Sequence, residues 1–248
     1  MNYRLKIQYE GTRYKGWQRQ RGDEGTTIQG KLETVLSQFA GREIQVDGAG
    51  RTDAGVHAVE QIANVHLPEH TAASAEELRT YLNTYLPEDI RILDASVAGE
   101  RFHSRLNAIG KRYCYHLIKA DREFVFGRKY AWKMTKPLDV ERMREAAGHL
   151  LGEHDFRSFC TKAAKKKSTI RRITDIQIRE TEEEILLYFE GNGFLYNMVR
   201  ILAGTLVEVG EGSRTPEEIP EILAGGERKN AGETAPAKGL FLEKVFYD

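Results

Sequence analysis

Alternating apolar and polar residues predict strands at several places in the chain. The clearest case is residues 3–9, where Tyr3, Leu5, Ile7 and Tyr9 alternate with polar side chains, so that every second residue faces the same side of a strand. Similar patterns predict further strands near residues 44–46, 61–67, 90–93, 112–118, 173–179, 184–190 and 240–246.

Apolar residues repeated every three or four positions predict helices between the strands. Two helices begin with a capping-box pattern, Thr26 with Gln29 and Ser74 with Glu77, in which side chains bond the first backbone N–H groups. Asp139 is the expected N-cap of a third helix. The predicted helices cover about residues 26–39, 74–86, 139–151, 194–209 and 215–225.

The order of these elements favours an α+β fold. Strand, helix, strand, strand, helix and strand follow one another and then recur in much the same order. Helices set between antiparallel strands argue against a parallel doubly wound sheet. We therefore expect two similar α/β halves, residues 1–108 and 109–248, that build a mixed, mostly antiparallel sheet with helices on one face around a central cleft.

The composition is that of a globular protein. The 248 residues include 40% hydrophobic and 30% charged side chains, whereas disordered chains are poorer in apolar residues. No apolar run approaches the ~18 residues that a membrane helix needs, and no signal-peptide pattern follows the first charged residues. Cys114 and Cys160 lie far apart and form no Cys-x-x-Cys motif, so we expect a reducing, cytoplasmic setting.

Charge is balanced overall but unevenly distributed. Lysine and arginine number 37, and so do aspartate and glutamate. Residues 1–22 nevertheless carry six basic side chains and one acid, and residues 161–172 carry six basic side chains and no acid. Such patches attract polyanions even at zero net charge, although a single basic run is more often only a solvated surface.

The densest chemical signal is a glycine-rich stretch at residues 48–58, which contains Arg51 and Asp53. Glycine allows a backbone to approach a ligand closely, and Asp53 stands between small residues that leave its carboxylate uncovered. A cation two residues away can keep that carboxylate ionised. The alternative is an ordinary turn with a surface ion pair, since Gly and Asp both favour turns.

The segment Gly-Arg-Thr-Asp-Ala-Gly-Val-His at residues 50–57 resembles the signature of the tRNA pseudouridine synthase A family, which isomerises uridines in the anticodon arm. The resemblance extends along the whole chain as an ordered set of motifs. They are Tyr9-Glu10-Gly11-x-x-Tyr14-x-Gly16-Trp17-Gln18-Arg19-Gln20, Leu86-Pro87-x-Asp89-Ile90, Phe102-His103-x-Arg105, Lys111-Arg112-Tyr113-x-Tyr115, Leu151-Gly152-x-His154-Asp155-Phe156-x-Ser158-Phe159, Met198-Val199-Arg200 and Ala235-Pro236-x-x-Gly239-Leu240. The resemblance implies a pseudouridine synthase fold in which the N-terminal half carries the catalytic loop and the C-terminal half completes the cleft.

The resemblance also implies roles for individual residues. Asp53 is the expected catalytic residue, and Tyr113 is expected to stack on the target uracil. Arg200 is expected to form a salt bridge with the aspartate, and Leu240 is expected to make an apolar contact in the same pocket. Arg51 is expected to contact an RNA phosphate or the flipped nucleotide, or else to pair with a nearby acid.

The implied reaction detaches uracil from C1′ of the ribose and rejoins it through C5, without redox change and without adding an atom. The resemblance therefore implies no cofactor and no metal. One carboxylate has to act as a nucleophile or stabilise an oxocarbenium-like ribose, and the choice between attack at C1′ and at C6 stays open. The family's targets are tRNA positions 38, 39 and 40, and it acts as a homodimer in which each tRNA contacts both subunits.

A uridine stacked in a stem–loop has to be flipped out before it can react, and phosphate contacts and stacking offset the energy of flipping. Basic and aromatic residues are the candidates for these contacts, in what is expected to be a central basic cleft. They are Tyr14, Trp17, Arg19, Arg21, Arg101, His103, Arg105, Lys111 and Arg112. The basic run at residues 162–172, with Lys165, Lys166 and Lys167, is the candidate for holding the distant body of the tRNA.

Three other functions compete with this one. An RNA-binding module without catalysis would need the basic and aromatic surface but not Asp53. A zinc nucleobase deaminase needs His-x-Glu and Pro-Cys-x-x-Cys, whereas His57 and Glu60 have the wrong spacing and neither cysteine follows a proline. A base-excising glycosylase differs only in releasing the uracil, and the sequence leaves it open.

Overall fold

The computed structural model describes residues 1–20, 22, 24–71, 73–122, 125–161 and 168–248. Within these ranges it has ten β-strands and five α-helices. The strands β1–β10 are Asn2–Tyr9, Val46–Gly48, His57–His66, Ile90–Val97, Gly110–Ile118, Trp132–Lys133, Gly152–Asp155, Ile170–Glu180, Glu184–Gly191 and Leu240–Phe246. The helices α1–α5 are Ile28–Ala40, Ala75–Tyr85, Val140–Gly148, Met198–Gly210 and Glu218–Gly225.

The α+β class is confirmed, and each predicted strand and helix overlaps an observed one. Two short strands escaped the sequence prediction. The strand β6 has only two residues, and β7 has the sequence Gly-Glu-His-Asp, which contains no apolar alternation. Hydrogen bonding to a neighbouring strand, rather than side-chain pattern, makes β7 a strand.

The chain divides into two compact units. Unit 1 comprises residues 1–109 and 241–248, and unit 2 comprises residues 110–240. The first boundary lies next to the expected one at residue 108, but the last strand groups with unit 1 rather than with the C-terminal half. The catalytic roles expected of the two halves stay a prediction.

The sheet of unit 1 has the order β4-β1-β3-β10, with β2 also paired to β3. Among the described strands of this unit, β10 runs parallel to β3 and the other pairs are antiparallel. The side chains of Tyr3, Leu5, Ile7 and Tyr9 on β1 are buried, as their alternation predicts. Because β2 and β3 pair with each other, the loop at residues 49–56 leaves and re-enters the sheet at neighbouring strands.

The sheet of unit 2 has the antiparallel order β5-β9-β8-β7, with β6 parallel to β5. Helix α4 is buried along almost its whole length, which explains its run of apolar residues. Helix α3 lies against the end of α4. The backbone N–H of Asp139 donates to the carbonyl of Gly210 at 2.9 Å, and a β-carbon at Gly210 would lie 2.8 Å from Sδ of Met143.

The predicted helix caps at Ser74 and Asp139 are confirmed, and those at Thr26 and Thr215 are wrong, since α5 has Glu217 as its N-cap. At α2, Oγ of Ser74 accepts from the N–H of Glu77 at 3.2 Å, and the Glu77 carboxylate accepts from the N–H of Ser74 at 2.8 Å. Asp139 caps α3 as predicted. The capping box at Thr26 is wrong by one residue, because Thr27 is the N-cap of α1.

Gln29 explains why the Thr26 capping box does not form. Its Oε1 accepts from the backbone N–H of Arg19 at 2.9 Å, and its Nε2 donates to Glu33 at 2.9 Å and to the carbonyl of Val46 at 3.1 Å. The side chain therefore joins α1 to two other segments of unit 1 and is not turned back to the helix start.

None of the helices in the described part of the chain is long and apolar enough to cross a membrane.

The capping box of α2 provides a test of local stability. Ser74→Ala removes the acceptor for the Glu77 N–H and is expected to lower the free energy of unfolding by about 1 kcal/mol, measured by urea denaturation. Thr84 is exposed on the same helix, and its hydroxyl donates to the carbonyl of Thr80 one turn earlier. Thr84→Ala is therefore the control and should change that free energy by less than about 0.5 kcal/mol. Equal losses in the two variants would contradict the capping assignment.

Candidate active site

The loop at residues 49–56, which carries Asp53, is bonded to the strand that follows it. The backbone N–H of Ala49 donates to the carbonyl of Ile62 at 2.7 Å. The side chain of Gln61 donates from Nε2 to the carbonyl of Gly50 at 2.9 Å. Both bonds fix the entry to the loop before Asp53 is reached.

Thr52, next to Asp53, is held from two directions. Its Oγ1 lies 2.8 Å from the hydroxyl of Tyr9, and its carbonyl accepts from the backbone N–H of Trp17 at 3.0 Å. Burial raises the pKa of the Tyr9 phenol well above its ordinary value, so the hydroxyl stays protonated and remains a hydrogen-bonding partner. The neighbour of the aspartate is thereby fixed through both its side chain and its backbone.

Gly16 allows the loop at residues 11–20 to lie directly against Thr52. Its φ is 95°, and a β-carbon there would lie 2.5 Å from the carbonyl oxygen of Thr52. Only glycine meets both conditions without strain.

The turn that follows Asp53 is also fixed by backbone bonds. The carbonyl of Asp53 accepts from the N–H of Val56 at 3.1 Å, and the N–H of Gly55 donates to the carbonyl of Tyr14 at 3.3 Å. Gly55 has a φ of 78°, as the third position of a type II turn requires. The Asp53 residue itself is partly exposed, and its backbone is held in a turn that is hydrogen-bonded on both sides.

Asp89 supports the loop at residues 11–20 from the side. Its carboxylate accepts from the hydroxyl of Tyr14 at 2.6 Å and from Nε and Nη2 of Arg13 at 2.9 and 2.6 Å. Because the carbonyl of Tyr14 in turn bonds Gly55, Asp89 is linked to the aspartate loop through one residue. The motif around Asp89 thus has a structural explanation within unit 1.

His57 joins the end of the aspartate loop to two other segments. Its Nδ1 accepts from the backbone N–H of Gly11 at 3.0 Å, and its ring stacks on Phe241 with centroids 4.7 Å apart. The side chain is 1% exposed. This environment supports a packing role, in which the imidazole holds neighbouring backbone in place.

In unit 2, Tyr113 lies on β5 opposite Phe189 of β9. The ring is buried and meets Phe194 edge-on, with centroids 5.2 Å apart and planes at 85°. The contact with Phe194 restricts the tilt of the tyrosine ring.

Arg200 lies in the first turn of α4 and is bonded within its own unit. Its Nε donates to the carbonyl of Ala235 at 2.7 Å, and its Nη1 donates to Oδ1 of Asn197 at 3.0 Å. Asn197 is the N-cap of α4 with a φ of 60°. Sequence reasoning missed Asn197 and the Ala235 carbonyl, and the only available signal was an asparagine one turn before an arginine in an apolar helix.

Leu240 is buried at the end of a segment that is fixed just before it. The hydroxyl of Tyr115 donates to the carbonyl of Pro236 at 2.7 Å, and a β-carbon at Gly239 would lie 2.8 Å from Cζ of the same tyrosine. The conformation that leads into Leu240 is therefore set by β5.

The candidates for RNA contact fall into groups of different exposure. Arg51, Arg101 and Arg105 are exposed, and His103 and Lys111 are partly exposed. Two arginines already pair with acids: Arg19 with Glu33 and Glu43 at 3.1 and 3.4 Å, and Arg112 with Glu190 at 2.7 Å. Tyr14 and Trp17 are buried, at 6% and 2% exposure, and both are hydrogen-bonded within unit 1, Tyr14 to Asp89 and Gly55 and Trp17 to Thr52. Arg21, Lys165, Lys166 and Lys167 lie outside the described residues, and RNA contact by any of the candidates stays a prediction.

Among the described residues, no group of three or more His, Cys, Asp and Glu side chains is arranged to hold a metal ion.

Comparison with known proteins identifies relatives over nearly the whole chain. A family model described as tRNA pseudouridine synthase matches residues 6–107 and 146–248. The chain is 47% identical over 246 residues to a tRNA pseudouridine synthase A of Bacillus sp. (strain KSM-64), covering 99% of each protein. It is 44% identical to a tRNA pseudouridine synthase A 2 of Bacillus cereus (strain ZK / E33L), covering 98% of each. It is 41% identical to a tRNA pseudouridine synthase A 2 of Clostridium perfringens (strain 13 / Type A), covering 99% of each.

Two glycine substitutions separate the collision at Gly16 from the backbone strain of a positive φ. Gly16→Ala combines a left-handed backbone with a collision at the Thr52 carbonyl, so we expect the free energy of unfolding to fall by about 3 kcal/mol. Gly41 also has a positive φ, of 67°, but a β-carbon there would meet no atom within 4 Å. Gly41→Ala should therefore lose only about 1 kcal/mol. Similar losses in the two variants, measured by urea denaturation, would contradict the close approach.

Proposed function

The chain belongs to the tRNA pseudouridine synthase family, and we propose that it isomerises uridine to pseudouridine at positions 38, 39 and 40 of tRNA with Asp53 as the catalytic residue. One observation carries the assignment of Asp53. Asp53 is a partly exposed residue on a loop whose residues before and after it are fixed by hydrogen bonds. Such rigid presentation of a reactive group is what catalysis by positioning requires.

The reaction suits a single carboxylate. The bond between C1′ and N1 breaks, a bond between C1′ and C5 forms, and the proton on C5 is replaced by one on N1. Atoms and electrons balance within the substrate, so the enzyme is an isomerase that needs no oxidant and no second substrate. Asp53 acts either as a nucleophile or as a charge that stabilises the electron-poor ribose, with attack at C1′ and attack at C6 both open.

Tyr113, Arg200 and Leu240 complete the proposed site. The ring of Tyr113 is to hold the detached uracil by stacking, which allows the base to rotate without escaping. The guanidinium of Arg200 is to form a salt bridge with Asp53. Its bonds to Ala235 and Asn197 support this role, because they restrict the side chain before any further partner binds. Leu240 is to supply an apolar contact beside the base.

The proposed substrate is the anticodon arm of tRNA, read through its shape and backbone. Arg51 is to contact a phosphate or the flipped nucleotide, and its exposed position next to Thr52 supports this. We also propose that the protein acts as a homodimer in the cytoplasm, with the basic run at residues 162–172 holding the body of the tRNA.

Replacing the carboxylate of Asp53 tests the central assignment. Asp53→Asn is expected to reduce pseudouridine formation on unmodified tRNA transcripts by at least about 1,000-fold, while tRNA binding persists. Pseudouridine mapping at positions 38, 39 and 40 is the measurement. Asp47 is an exposed aspartate on β2, so Asp47→Asn is the matched control and should retain activity.

Three outcomes would contradict this assignment. Full isomerisation by Asp53→Asn would remove the catalytic role of Asp53. Binding of tRNA without pseudouridine in the wild-type protein would indicate an RNA-binding module. Free uracil and abasic RNA as the main products would indicate a glycosylase.

The stacking role of Tyr113 predicts a difference between two substitutions. Tyr113→Phe keeps the ring face and should stay within about 10-fold of wild-type kcat. Tyr113→Ala removes a stacking contribution of about 1–3 kcal/mol, so kcat should fall by about 5- to 150-fold. Tyr85→Ala, at an exposed ring on α2, is the control. Equal losses in Tyr113→Phe and Tyr113→Ala would show that the hydroxyl matters and the ring face does not.

A further inference from the structure

The segment at residues 231–236, which precedes Leu240, is bonded along one face of helix α4. At its end, the N–H of Ala235 donates to the carbonyl of Arg200 at 3.2 Å, and Nε of Arg200 donates back to the carbonyl of Ala235 at 2.7 Å. The guanidinium is therefore oriented by the backbone of this segment. Any shift of residues 231–236 along the helix would move the carbonyl that holds Arg200.

Thr205 bonds the beginning of the segment. Its Oγ1 donates to the carbonyl of Ile201 one turn earlier at 2.7 Å and accepts from the N–H of Gly232 at 2.9 Å. The side chain is fully buried. A buried N–H without an acceptor is unfavourable, so this hydroxyl fixes the place of Gly232 on the helix.

Glu208 bonds the middle of the segment. One carboxylate oxygen accepts from the N–H of Glu233 at 2.9 Å, and the other accepts from Nε and Nη2 of Arg214 at 3.1 and 2.9 Å. Arg214 also contacts Glu218 at 3.0 Å. The acceptor for Glu233 is therefore itself held in place by an ion pair.

Two glycines allow the segment to lie this close to the helix. A β-carbon at Gly204 would collide with the carbonyl oxygen of Glu233, and one at Gly232 would lie 2.7 Å from Cα of Thr205. Glycine weakens the interior of a helix compared with alanine. Its presence within α4 is therefore explained by the contact it permits.

We propose that Gly204, Thr205 and Glu208 form a clamp, called here the α4 clamp, that positions Arg200 for the reaction by holding residues 231–236. Gly204 and Glu208 follow Arg200 by four and eight positions and continue along its side of the helix, and Thr205 lies next to Glu208, three residues before it. Thr205 and Glu208 are positioning residues, which act through the Ala235 carbonyl and do not touch the substrate. This inference rests on the proposed function of Arg200.

Substitutions at Thr205 separate the hydroxyl from the shape of the side chain. Thr205→Val keeps the shape and removes the acceptor for Gly232, so kcat should fall by about 10- to 100-fold while KM changes by less than about 3-fold. Thr205→Ser keeps the hydroxyl and should restore kcat to within about 3-fold of wild type. Thr34 on α1 makes the same bond to the carbonyl one turn earlier, at 2.9 Å to Gly30. Thr34→Val is therefore the matched control and should leave kcat unchanged.

A steric variant tests the same clamp without removing a polar group. Gly204→Ala favours the helix by propensity but drives the segment away from it, so kcat should fall by about 10-fold or more. Gly148→Ala in α3 is the matched control, because a β-carbon there meets no atom within 4 Å. If Thr205→Val does not fold, the kcat of Gly204→Ala still tests the clamp.

A double-mutant cycle distinguishes positioning of Arg200 from loss of structure. In an Arg200→Lys background, Thr205→Val should change kcat by less than about 3-fold, because the group it positions is already gone. Hydrogen exchange of the Gly232, Glu233 and Ala235 amides should be faster in Thr205→Val and Gly204→Ala than in wild type.

Wild-type kcat in both variants, or effects on kcat that multiply fully in the cycle, would overturn the clamp. Absence of pseudouridine formation by the wild-type protein would instead overturn the proposed function, and faster exchange in the variants would still support a clamp on residues 231–236.

Discussion

The close approach of residues 11–20 to the aspartate loop is the constraint on which the rest of unit 1 depends. Gly16 allows the backbone to reach the Thr52 carbonyl, and the bond from the Trp17 N–H to the same carbonyl requires the same short separation. A side chain at Gly16 would push the two loops apart and would break the Trp17 bond. The backbone on either side of Asp53 is therefore positioned by the contacts of its neighbours.

In unit 2, hydrogen bonds and close contacts at glycines hold residues 231–236 against helix α4. Residues 231–236 form no strand, yet buried backbone N–H groups need acceptors. Thr205 of α4 accepts from the buried N–H of Gly232, and Glu208 accepts from the N–H of Glu233, which is exposed. Both side chains are uncommon in an otherwise apolar helix. The polar residues of α4 are thus explained by the segment that they bind. The same segment supplies the Ala235 carbonyl that accepts from Arg200.

Sequence patterns predicted the elements well and the side-chain partners poorly. Alternation located β1, and the Ser74 capping box located α2, because both patterns act within a few residues. The N-cap of α1 was misplaced because Gln29 bonds residues distant in sequence. For the same reason, no sequence pattern indicated that Arg19 pairs with buried Glu33. The aspartate loop could be singled out by its glycines and its resemblance, whereas the bonds that fix it could not.

The ion pairs that the arginines already form determine how much free energy each would lose on binding an RNA phosphate. A phosphate that binds Arg19 would have to leave Glu33, which is 3% exposed, as a buried carboxylate without its cation, and breaking such a pair is strongly unfavourable. Arg112 would likewise have to leave Glu190, to which it donates two hydrogen bonds. The exposed guanidinium groups of Arg51, Arg101 and Arg105 face a much smaller desolvation penalty. Under the proposed function, we therefore expect phosphate contacts from these exposed residues and not from Arg19, which is bonded to Gln29 and Glu33 within unit 1.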